Sequence, residues 1–141
     1  MNRKQVIHAL MRARNLKNYL EIGVFNGHIF FRVKSKFKVA VDPFFRFSTG
    51  RKIIKTLINP YNLCNRYFQK PADDFFAQDA ARVIGNRKIE ISLIDGMHEY
   101  AYALRDAENT LKYLSNNGVI VMHDCNPLTK EANVSFAEWE A

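Results

Sequence analysis

Three short runs place the strongest constraint on this chain: FKVAV at 37–41, IEISLI at 89–94 and VIVM at 119–122. Each is largely apolar on both faces, and each stops at a charged or titratable residue: Asp42, Asp95 and the pair His123-Asp124. Strands apolar on both faces need cover from both sides, which a parallel sheet with helical crossovers provides. The intervening segments fit that plan. Residues 2–14 place Val6, Ile7, Leu10 and Met11 on one helical face, and 28–34, 52–58 and 73–83 are predicted as further helices. Residues 99–114 carry apolar positions at 103, 104, 107, 111 and 114 before Asn116-Asn117-Gly118, a helix stop. Strands are predicted at 19–22 and 66–69. The expected architecture is one α/β domain over 1–141, with a leading helix within 1–16 and a tail at 128–141.

The 141 residues suffice for one domain with a true core. No apolar run approaches the roughly 20 residues of a membrane span, so no membrane partner is expected. The start lacks the continuous apolar stretch of a signal peptide, and Cys64 and Cys125 have no C-x-x-C spacing. A reduced, cytoplasmic setting fits both. Charge is uneven. Residues 1–70 hold fifteen Lys/Arg against two acids, whereas 71–141 hold six against twelve, for a net +7. A solvated basic face accounts for this; no Arg-rich tail, zinc finger or RNP-like aromatic motif adds nucleic acid as a partner.

The ligand question turns on YLEIGVFNG, residues 19–27. A strand running into a glycine turn suggests a dinucleotide fold, whose second glycine lets backbone approach a pyrophosphate. Phe25 occupies that place here. Asp42, ending the next strand, suits a ribose diol, because a carboxylate accepts hydrogen bonds from both hydroxyls. A ligand with ribose and adenine but no phosphate satisfies both observations, and S-adenosylmethionine is such a ligand.

The same residues carry a family resemblance. Glu21-x-Gly23-x-x-x-Gly27, AVDP at 40–43, LIDGMHEY at 93–100 and GVIVMHDCNP at 118–127 occur in order over about residues 17–128. Together they resemble a class I S-adenosylmethionine-dependent methyltransferase, in particular the bacterial group marked by I-D-G-x-H-x-Y and a terminal H-D. The resemblance implies a Rossmann-like, doubly wound, mostly parallel sheet of order 3-2-1-4-5, lacking the last two of the usual seven strands. It places Glu21, Gly23, Phe25, Asn26 and Gly27 around the methionine end of the cofactor, Asp42 at the ribose and Asp73 at the adenine. A plain helix cap is the other reading of Asp73. Asp95, Gly96 and His98 fall where donor and acceptor meet.

Methyl transfer is an in-line displacement, so positioning supplies much of the catalysis, and a hydroxyl acceptor also needs a base. The candidate catalytic residues are Asp95, His98, His123 and Asp124. A cap on the following helix is the alternative for His98. Of the two tyrosines beside this motif, Tyr100 rather than Tyr102 matches the family position. Some relatives bind a divalent cation through acids ending strands four and five, and Asp95, Asp124 and Asn126 resemble that set. The family's adjacent Asp-Asn is split here by Cys125, so a metal is not the expected cofactor.

The leading expectation is an enzyme that methylates an oxygen of a small molecule, a sugar or secondary metabolite. The alternatives are a truncated domain that binds cofactor without turnover, and a nucleic-acid methyltransferase using the basic half. With strand five as an edge, self-association through that edge and the tail is a further expectation.

Overall fold

The computed structural model describes residues 2–97 and 99–124. Asn2 opens α1 (Arg3–Arg14) by a reciprocal cap: its Oδ1 accepts from the Gln5 N–H at 3.0 Å, and Gln5 Oε1 accepts from the Asn2 N–H at 2.9 Å. Asn15 closes the helix in the left-handed conformation, φ 53°. α1 buries Ile7, packs Leu10 and Met11 against the same core, and carries Arg12 and Arg14 in its last turn.

Among the described residues five strands follow: β1 (Asn18–Ile22), β2 (Phe37–Val41), β3 (Asn65–Phe68), β4 (Ile89–Ile94) and β5 (Leu114–Met122). All pair in parallel, in the order β3-β2-β1-β4-β5. This is the Rossmann-like α/β arrangement that the sequence implied. Side-chain alternation sends Leu20, Ile22, Phe37, Val39 and Val41 to one face with Phe75, Val83 and Ile84. The other face gathers Tyr19, Ala40, Ile91 and Leu93 with Ile7 and the aromatic pair Phe30 and Phe31. Both faces of the central strands are buried, which is why their sequences do not alternate.

The crossovers depart from expectation in three places. The helix predicted over 28–34 is only a 3-10 turn, Phe30–Arg32. Its two phenylalanines both enter the core, at 0% and 2% exposure, and Gly27 before it has φ 73°. Beneath the turn lies Lys38, fully buried, whose ammonium donates to the carbonyls of Phe30 at 2.9 Å and Val33 at 3.0 Å and to Asn62 Oδ1. Burial pulls this lysine down to about 7.

The single helix predicted over 73–83 is two, α3 (Ala72–Gln78) and α4 (Ala80–Val83). The break is at Asp79, φ −121°, whose carboxylate accepts from Lys70 and Arg82, both at 2.7 Å. Finally, α5 (Tyr100–Tyr113) runs directly into β5, which begins at Leu114 rather than 119. Asn116-Asn117-Gly118, read as a helix stop, instead fills an irregularity in the β4–β5 ladder. Ile89 is opposite Leu114, yet Ile91 is opposite Val119. Among the described residues β3 and β5 are the outer strands.

α2 (Thr49–Ile58) starts at Ser48, whose hydroxyl accepts from the Arg51 N–H at 3.2 Å. None of its residues is buried.

Candidate active site

The sheet order reverses between β1 and β4, with their neighbours β2 and β5 running outward on either side. Ligands of open parallel sheets sit above the carboxyl ends of strands at such a point. A cleft of about 540 Å³ opens there. The ends of β1 and β2 contribute Gly23, Phe25, Asp42 and Pro43. The β3–α3 connection contributes Pro71, Ala72 and Asp73; the end of β4 contributes Asp95, Gly96 and Met97. Tyr102 and Asp106 come from α5, His123 and Asp124 from the end of β5, and Arg3 from α1.

The floor is backbone. Gly23 has φ 81°, and a Cβ there would lie 2.2 Å from the Asp95 carbonyl oxygen. Its glycine is demanded by the contact between two strand ends, tied by the Asp95 N–H donating to Ile22 O at 2.8 Å. Gly27 is likewise required by the protein itself: a Cβ would strike the Phe31 ring at 2.4 Å.

Asp42 is nearly buried and anchors two loops at once. One oxygen accepts from the Phe25 N–H and the other from the Phe44 N–H, each at 2.7 Å. Phe25 takes the left-handed φ of 51°, and Arg46 stacks on its ring at 4.9 Å while donating its N–H to Phe25 O. Each carboxylate oxygen retains a lone pair for a further donor.

Asp95 stands at the centre. It pairs with the Arg3 guanidinium, and its other oxygen lies 3.0 Å from His123 Nδ1. The same imidazole nitrogen lies 3.0 Å from Asp124. At the α3 side, Asp73 sits in the first turn of α3, 3.4 Å from Arg105; Pro71 is the N-cap, so the cap reading of Asp73 does not hold.

Asp106 faces the same space, 8% exposed, with no hydrogen bond to its carboxylate among the described residues. Burial, with the nearby Asp73 carboxylate adding to it, pushes its carboxyl up to about 6. Glu21 is buried below the cleft instead of on its wall. The Tyr19 hydroxyl donates to it at 2.5 Å, and burial raises it to about 8.

Of the residues singled out in the sequence, Gly23, Phe25, Asp42, Asp73, Asp95, Gly96, His123 and Asp124 line one cleft, whereas Glu21, Asn26 and Gly27 do not. His98 and Asn126 lie outside the described residues. Tyr102, not Tyr100, reaches the cleft; Tyr100 is 81% exposed. Among the described residues no group of three His, Cys, Asp or Glu side chains is arranged to hold a metal ion. Arg3 and Asp106 were missed. Arg3 is 92 positions from its partner Asp95, and a carboxylate within a helix reads as solvent-facing.

Among the described residues, five carboxylates therefore face the cleft, against one guanidinium and one imidazole. The first crossover has only the 3-10 turn and no α-helix to point its positive end at a phosphate. Both facts disfavour a pyrophosphate and favour a ligand rich in hydroxyls and positive charge.

The methyltransferase domain family matches residues 20–125, and the chain belongs to that family. No curated protein matches the chain.

Proposed function

We propose that the chain is an S-adenosylmethionine-dependent methyltransferase acting on an oxygen of a small molecule, a sugar or secondary metabolite. The observation that carries this reading is the carboxylate-lined cleft at the switch point, free of a phosphate cradle, in a methyltransferase family member. The residues fit the cofactor's chemistry. Asp42 suits the ribose diol, and its position is fixed by two backbone donors. Arg3 and Asp95, facing each other, offer a cation and a carboxylate for the zwitterionic amino-acid end. Asp73 and Asp106, with Pro71 and Met97, suit a purine edge bearing amine hydrogens.

S-adenosylmethionine, when bound, supplies a methyl group on a sulfonium carbon. The chain's own residues orient it and handle the proton. His123, with Nδ1 between Asp95 and Asp124, is held so that Nε2 takes the proton of an acceptor hydroxyl. The flanking carboxylates stabilise the imidazolium formed.

Calorimetric titration tests the assignment. S-adenosylhomocysteine binds the intact chain and NAD does not, and Asp42→Ala weakens the former by about tenfold or more while the protein stays folded. If neither ligand binds folded wild-type protein, the cofactor assignment fails. Binding with no methyl transfer to any hydroxyl acceptor would identify a cofactor-binding domain without turnover.

A further inference from the structure

A second set of charges gathers outside the cleft, where α1 meets the turn after β1. Lys4, His8 and Arg12 are spaced four residues apart and share one side of α1. His8 lies against the Arg32 backbone, which brings that side up to the 3-10 turn and to Lys34 beyond it. Across the turn, the Arg32 guanidinium lies 2.6 Å from His28 Nε2. Desolvation holds both imidazoles below their ordinary value, and neighbouring cations add to it: Lys4, Lys34 and Arg12 at His8, and Arg32, Arg3, Lys4 and Lys55 at His28. None of the main influences on either ring is a carboxylate. Among the described residues Lys4, Arg12, Arg32, Lys34 and Lys55 form no ion pair. The two acids within 1–70 are turned away, Glu21 below the cleft and Asp42 into it. Like charges gathered without a counter-charge repel one another, and a bound anion relieves them.

The neighbourhood narrows the anion. Arg3 acts on His28 and also lines the cleft, where it pairs with Asp95, whose other oxygen lies 3.0 Å from His123 Nδ1. The basic face is thus continuous with the cleft, while the cleft itself presents five carboxylates among the described residues and repels anions. A long polyanion laid across this surface would have to pass those carboxylates. A small molecule with one compact anionic end need not. Its charged end stays on the basic face and its neutral, hydroxylated body reaches towards His123. A phosphate monoester, with up to two charges and three acceptor oxygens, engages several cations at once.

We propose that this face of α1 and the following turn is a site for the phosphate group of a small hydroxylated molecule, and that it anchors the methyl acceptor by that group. The role of acceptor anchor rests on the methyltransferase reading; the phosphate site stands on the charges alone. The proposal revises the expectation of a basic face that is only solvated.

Proton NMR of the full chain, following the histidine Cε1–H resonances against pH, tests it with glucose 6-phosphate, glucose and inorganic phosphate as probes. Glucose 6-phosphate moves the His8 and His28 midpoints up by about half a pH unit or more, because a bound anion favours the imidazolium. It also shifts the His123 resonance, whereas inorganic phosphate moves only His8 and His28, and glucose moves neither. Arg32→Gln, at an exposed side chain, weakens glucose 6-phosphate by about tenfold without shifting the thermal melt. Unmoved His8 and His28, an equal response to glucose, or equal binding by Arg32→Gln overturns the proposal. So does glucose 6-phosphate that binds no more tightly than inorganic phosphate and leaves His123 still, which marks an adventitious ion only. Binding of oligothymidylate that Arg32→Gln abolishes, with no response to glucose 6-phosphate, overturns it in favour of nucleic acid. The spectra need no methyl donor. Failure of S-adenosylhomocysteine to bind therefore strikes the methyltransferase reading and the acceptor role with it, whereas unmoved histidines beside intact S-adenosylhomocysteine binding strike the phosphate site alone.

Discussion

α1 and α2 pack against the same side of the sheet and treat their amphipathic sequences in opposite ways. α1 turns Ile7 inward with Leu10 and Met11, and leaves Arg12 and Arg14 of its last turn exposed. α2 turns Lys52 towards the aromatic cluster of Phe47 and Tyr67 and leaves its aliphatic residues outside. The difference lies in what each finds beneath it. Under α1 the sheet offers aliphatic side chains. Under α2 lie the Phe47 and Tyr67 rings and the Asn62 side chain of the following turn, which suit a cation and a backbone carbonyl. Periodicity shows that a helix has two faces. The partner surface decides which face turns inward.

Substitutions can break or sharpen this contrast. The largest effect is expected at α1, where Ile7→Asp buries an unpaired carboxylate at a fully enclosed site and costs about 4 kcal/mol in a denaturant melt. A small loss would mean that α1 is as loosely docked as α2. Next comes the cation that α1 delivers to the cleft. Arg3→Ala weakens S-adenosylhomocysteine binding by about 1.4 kcal/mol, or tenfold, in calorimetric titration, with little change in stability.

α5, on the opposite side of the sheet, supplies a third case, because its inward polar residue faces a cleft. The Asp106 carboxyl moves from an ordinary 3.8 to about 6 in the fold. The folded chain thus holds the proton more tightly than the unfolded one, and its stability declines as pH climbs between those values. Asp106→Asn removes that decline and raises stability at pH 7 by about 1 kcal/mol. An unchanged pH profile in urea melts would show that the carboxyl is not held in this way. The smallest effect belongs to α2: Leu57→Asp leaves stability within about 0.5 kcal/mol of wild type. A loss approaching that of Ile7→Asp would show that the outer stripe is covered.

The strands were legible because burial on both faces leaves an apolar run that few other structures explain. β2 and β4 occupy the ranges read for them. The convergence of Asp42, Asp95 and Asp124 followed from topology alone, since parallel strands bring their carboxyl ends together. Less could be read where long-range packing overrides local preference. Phe30 and Phe31 reduce a predicted helix to one turn because both rings belong in the core. Asn116-Asn117-Gly118 has the composition of a helix stop, and only pairing with β4 makes it part of a strand. Glu21 matched a motif position, but strand alternation turned it beneath the sheet towards Tyr19. Arg3 had no local signal, because its meaning depends on a carboxylate brought near by the whole fold.

That pairing has a practical side. Arg3 lies on the wall of the cleft, in the first turn of α1. A purification handle or fusion segment placed directly before α1 would be tethered at the entrance, where a string of histidines could compete for Asp95 and a string of acids for Arg3. Affinities measured on such a product would describe the handle together with the cleft, so a removable handle is the sounder design.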